Sequence, residues 1–126
     1  MLNINPYQQY QRNAVKSATP GELTLSLYNG KVKFIKQAIL AVEKGDIETA
    51  NHKIIRTQEI VSYLMDTLNP DFEISGNLLS LYDYMNRRLT EANIKKDKAI
   101  LEEVLGLVKE LRDTWEEAIK VTGGRK

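Results

Sequence analysis

Residues that commonly carry chemistry are scarce in this chain, and their spacing closes most routes to catalysis. There is one histidine, His52, and no cysteine. A thiolate nucleophile, a disulfide framework and a thiolate metal site are therefore excluded. A di-iron site in a helical bundle takes four carboxylates and two Glu-x-x-His pairs. Thr49, not a glutamate, stands three residues before His52. Its neighbours Asn51 and Lys53 lend haem ligation no support, so His52 reads as a surface histidine. No Ser or Thr is flanked by the glycines of a nucleophile elbow, and a lone histidine does not identify a triad. Phosphate-cradling glycine motifs are absent, with Gly30-Lys31 and Gly123-Gly124 standing alone. Arg87-Arg88 is chemically suited to a carboxylate or phosphate, but lone surface charges specify little, and a place on the bundle surface is expected. These observations predict a protein with no catalytic residues, no metal and no cofactor.

What is abundant is apolar and aromatic surface at helical spacing. Tyr7, Tyr10, Tyr28, Tyr63, Tyr82 and Tyr84 are many tyrosines for a small domain, and a tyrosine buries its ring while leaving a hydroxyl wet. Thr19-Pro20-Gly21-Glu22 is a helix start, with a capping threonine, a proline at the first turn and a glutamate closing the box. From there Leu25, Tyr28, Val32, Ile35, Ile39 and Val42 step 3-4-3-4-3. Leu23, Leu27, Phe34, Ala38 and Ala41 form a second stripe beside them. One buried face does not need both, so this helix either sits centrally in a bundle or meets a partner. Such a groove suits an amphipathic helix with anchors at i, i+3, i+4 and i+7.

The other elements repeat the rhythm. Gly45 ends the first long helix and Asp46 caps the second, which carries Ile47, Ala50, Ile54, Val61, Leu64 and Leu68 with Thr57 at one seam position. Asn69-Pro70-Asp71 stops it. A loop is expected to about Asn77, then a third helix through Leu78, Tyr82, Met85, Leu89 and Ala92. Asn93 to Lys96 breaks the run. Asp97 caps a fourth helix with Leu101, Val104, Val108, Leu111, Trp115 and Ala118. No run of alternating β-branched residues lies between turn signals. Short links imply antiparallel neighbours. The expected fold is all-α, an antiparallel up-down four-helix bundle over residues 19–122. A polar, Gln-rich arm at 1–18 places Ile4, Tyr7 and Tyr10 on one side, and 123–126 form a tail.

Composition bounds the function. A chain of 126 residues with 42% hydrophobic and 28% charged residues is ordinary for one folded domain. Eighteen basic and 17 acidic residues leave a net charge of +1, without the clustered basic excess of a nucleic-acid binder. No apolar stretch reaches the ~20 residues of a membrane span, and the N-terminus lacks a secretory pattern. A cytoplasmic protein that neither binds nucleic acid nor inserts in membranes is expected.

Stretches in three parts of the chain resemble a known family. Asn5-Pro6-Tyr7-Gln8-Gln9-Tyr10-Gln11-Arg12-Asn13, Ala18-Thr19-Pro20-Gly21-Glu22-Leu23 and Leu27-Tyr28-Asn29-Gly30 are similar to the opening of the flagellin-specific export chaperones, the FliS family. Leu81-Tyr82-Asp83-Tyr84-Met85-Asn86-Arg87-Arg88-Leu89 resembles its fourth segment, and Leu111-Arg112 with Trp115-Glu116-Glu117-Ala118 its last helix. Ser26 stands where the family often has a large apolar residue. The resemblance implies a non-enzymatic chaperone that binds the disordered C-terminal segment of flagellin, blocks premature polymerisation and delivers it to the flagellar type III export gate. It also implies an N-terminal segment able to cover part of the client groove, with Tyr7 and Tyr10 at the matching tyrosine positions. We expect the groove at Leu25, Tyr28, Val32, Ile55, Tyr82 and Met85, the arm at Ile4, Tyr7 and Tyr10, and a monomer or weak dimer. The competing expectation is a bundle that associates with itself through the same stripe.

Overall fold

A computed structural model describes residues 19–122. Four helices follow one another: α1 (Pro20–Lys44), α2 (Ile47–Asp66), α3 (Glu73–Lys95) and α4 (Lys98–Thr122), with no strand among the described residues. The arm at 1–18, with Ile4, Tyr7 and Tyr10, and the tail at 123–126 lie outside the described residues.

Helix boundaries follow the local chemistry. The Thr19 hydroxyl accepts from the Glu22 backbone N–H at 3.1 Å, and the Glu22 carboxylate accepts from the Thr19 N–H at 3.0 Å. This reciprocal box satisfies two donors that a helix start leaves open, worth about 1 kcal/mol. At the other end Gly45 adopts φ 75°, where a side chain would be strained. Its N–H reaches the Val42 carbonyl while that of Asp46 reaches Ala41, which closes the helix and turns the chain within two residues. Asp46 then caps α2 through the Thr49 N–H. The link from α3 to α4 repeats the geometry with Lys96 at φ 50°, and the Asp97 N–H returns to Ala92. Asp97 then accepts from the Ala99 N–H.

The third helix begins five residues before its apolar rhythm does. The sequence predicts a loop to about Asn77, whereas α3 starts at Glu73. Its first turn is solvent-facing, so Glu73, Ile74, Gly76 and Asn77 carry no stripe. Ser75 is the exception. It is buried and its hydroxyl donates to the Asn69 carbonyl at 2.6 Å, which fixes the turn without a side-chain cap at Phe72.

Each helix packs against two others, α1 on α2 and α4, and α3 on α2 and α4. The helices therefore form a closed ring of four antiparallel neighbours. The Trp115 indole donates to the Gly21 carbonyl at one end of the α1–α4 pair, and Lys98 meets Glu43 at the other. Leu27, Ile35, Ile54, Ile60, Met85, Leu89, Leu101, Val104 and Val108 fill the centre, all essentially inaccessible. Each such side chain contributes roughly 1.5–3 kcal/mol of transfer free energy. The second stripe on α1 adds Leu27, Ala38 and Ala41 to the buried interior beside Tyr28, Val32 and Ile35.

Candidate binding surface

Three of the four seams between helices differ in chemistry. Along α2–α3 neutral amides and hydroxyls interlock. The Asn93 amide donates to Asn51 at 2.8 Å, that of Gln58 to the Thr90 hydroxyl at 2.9 Å, and that of Asn86 to Ser62 at 3.2 Å. Across α3–α4 the seam is charged. Arg88 bridges Glu91 on its own helix and Glu103 opposite, and the Tyr84 hydroxyl donates to Glu103. Those bonds hold the Glu103 carboxyl below its ordinary range and push the Tyr84 phenol up. Arg87 pairs with Asp83 on the surface, as expected of the Arg87-Arg88 pair.

The α1–α4 seam is apolar. Ile39 and Leu40 of α1 and Leu105 of α4 line an open cleft, with Lys36, Glu43 and Glu102 at its rim. Leu40 is 54% exposed, and a leucine that open in a cleft has surface left to bury. The Lys98–Glu43 pair at 3.0 Å closes the upper end and raises the Lys98 pKa. The Arg112 guanidinium and Asn29, 3.5 Å apart, and the Trp115–Gly21 bond mark the lower part.

The structure divides the sequence-derived groove residues. Tyr28, Val32, Tyr82 and Met85 lie in the core, at 5% exposure or less. Leu25 on α1 is half-buried. Ile55 is exposed on α2, beside Glu59, Ser62 and Tyr63 in a separate shallow depression. Tyr28 and Tyr82 are brought together across the bundle, hydroxyl to hydroxyl at 2.6 Å. Burial pushes both phenols up, Tyr82 the further. His52 is exposed on α2.

Three residues of interest are not distinguished by the sequence pattern. Leu40 and Leu105 flank core positions and carry no separate signal of their own. Lys31 lies in the core with 0% exposure, although it shares the i, i+3, i+4, i+7 face of Tyr28, Val32 and Ile35. That spacing is the available signal, and the charge argues against using it.

The described residues form a helical bundle, a closed ring of four helices with an apolar cleft along one seam, and among them no group of three or more His, Cys, Asp or Glu side chains could hold a metal ion. Residues 3–122 match the family model described as "Flagellar protein FliS". The chain belongs to the FliS family, a family of chaperones and not of enzymes. It is 51% identical to the flagellar secretion chaperone FliS of Bacillus subtilis, an alignment covering 92% of this chain and 87% of that one. To the flagellar secretion chaperone FliS of Salmonella typhimurium it is 34% identical, over 90% and 87% of the two chains. A crystal structure described as a flagellar chaperone from bacteria superposes with a TM-score of 0.76 at 16% identity, covering 90% of this chain and 94% of that one. That likeness supports the fold.

Proposed function

We propose that this chain is a cytoplasmic export chaperone for flagellin. It binds the disordered C-terminal segment of its client, prevents premature polymerisation and hands the subunit to the export gate of the flagellar type III apparatus. The observation that carries this reading is the apolar α1–α4 cleft with Leu40 54% exposed, on a chain whose relatives are named flagellar secretion chaperones. A disordered client that folds on binding covers a long surface while losing several kcal/mol to ordering, so its chaperone needs an extended apolar seam on a stable scaffold. Leu25 at the lower part of α1 and Ile55 on α2 extend the surface a wrapping client would use. Tyr28, Val32, Tyr82 and Met85 lie in the core behind it, and the N-terminal segment with Ile4, Tyr7 and Tyr10 is proposed as a cover able to occupy part of the same surface.

Titration with a flagellin C-terminal peptide tests the proposal. One-to-one binding with a gain in helical circular dichroism is expected. A dissociation constant weaker than about 10 μM defeats the reading. Leu40→Glu removes an anchor and sets a charge in the cleft, which should weaken binding at least about tenfold. Because Leu40 is half open, melting should change little. A stable dimer whose interface excludes the peptide supports self-association instead.

A further inference from the structure

The most unusual group in the core is the Lys31 amine. It has no hydrogen-bond partner among the described residues, and its side chain is 0% exposed. Lysines at helix surfaces normally run their stems along apolar surface and lift the ammonium into water. This one lies 4.5 Å from the centre of the Tyr28 ring and 5.0 Å from that of Tyr82. Those tyrosines join α1 to α3, two helices that do not otherwise pack together. Lys31 therefore stands beside the one described hydrogen bond that spans the bundle between them.

No anion among the described residues compensates it. Among the described residues no aspartate or glutamate is buried. On α1, Glu22 belongs to the capping box and Glu43 pairs with Lys98. On α2, Glu59 pairs with Arg56. On α3, Asp83 pairs with Arg87, and Glu91 with Arg88 and Lys95. On α4, Glu103 is held by Arg88 and Tyr84. The titratable groups facing the amine are the two tyrosines. Both are kept neutral, because burial moves their phenols up. Ring faces attract a cation but accept no ordinary N–H bond in place of water.

We propose that Lys31 is a proton-operated latch. In the closed bundle its amine is uncharged, and proton uptake in mild acid slackens the Tyr28–Tyr82 contact between α1 and α3. Desolvation favours the neutral amine and brings its pKa from 10.5 to about 7. The sign follows from linkage. Between these two values the unfolded chain holds the proton and the folded chain does not, so stability rises with pH across the window. Below about pH 7 both states are protonated and the destabilisation is complete.

The test uses the whole chain. Urea-unfolding equilibria over about pH 6–10 compare the parent with Lys31→Met, which keeps a similar length without the charge. The parent's folding equilibrium constant should rise up to about tenfold per pH unit above the Lys31 pKa, relative to the variant. The near-ultraviolet tyrosine signal should weaken on acidification through neutrality in the parent and not in Lys31→Met. Parallel pH slopes in the two proteins overturn the proposal. An NMR titration of the Lys31 side chain in the folded parent decides the matter without a variant. A midpoint near 7 supports the latch, and one above about 9 overturns it.

Discussion

The Tyr28–Tyr82 pair allows a quantitative test of how the core is held. The two residues are only 4% and 2% exposed, and their hydroxyls meet at 2.6 Å. Tyr28→Phe deletes that bond and leaves the Tyr82 hydroxyl stranded in apolar surroundings; Tyr82→Phe does the converse. The lost bond is worth about 1 kcal/mol net, and a stranded buried hydroxyl costs about 1–3 kcal/mol. Each single variant should therefore lose about 2–4 kcal/mol. The double variant strands nothing and should lose only about 1 kcal/mol, a coupling of about 3–7 kcal/mol between the sites. At ~4 °C per kcal/mol for a domain of this size, the singles melt about 8–16 °C below the parent and the double about 4 °C below. Thermal and urea unfolding followed by far-ultraviolet circular dichroism measures all four corners of the cycle. A double variant whose loss equals the sum of the singles refutes the reasoning.

Two further outcomes follow from the helices themselves. Gly106 is exposed inside α4 and a Cβ placed there meets nothing within 4 Å, so Gly106→Ala should stabilise the bundle by about 0.5–1 kcal/mol in urea unfolding. Trp115→Phe removes the 2.9 Å bond to the Gly21 carbonyl together with part of the ring packing. It should lower the urea midpoint by the equivalent of about 1–3 kcal/mol, read by circular dichroism because Trp115 is the sole tryptophan.

The bundle is legible in the sequence wherever punctuation and periodicity agree. Thr19 to Glu22, Gly45-Asp46 and Asp97 mark their boundaries through backbone chemistry that depends on near neighbours alone. The start of α3 is not legible, because its first turn is exposed and is fixed by Ser75 reaching back six residues to Asn69. Placement on the surface is harder to read. A 3-4 rhythm says that Tyr28, Val32, Tyr82 and Met85 share apolar faces but cannot separate a filled core from an open cleft. That distinction depends on which helices become neighbours. Thus Leu40 is open at the α1–α4 seam while Ile35, five residues earlier, is sealed. Lys31 is hidden by its type, since composition rules put lysine outside.

The short links stitch the bundle locally, but the α1–α4 seam unites its two ends. Gly21 and Trp115 are 94 positions apart, whereas α1–α2 and α3–α4 turn back within two residues. Chain entropy opposes closure more as the intervening loop lengthens, so hairpins can zip early and this seam waits for them. Sequence order thus gives the ring a clasp. It is the one edge where neighbouring helices share no direct link, and parting it leaves the three interhelical turns intact. The apolar cleft lies along that clasp, where a guest could enter between helices without any turn having to unwind.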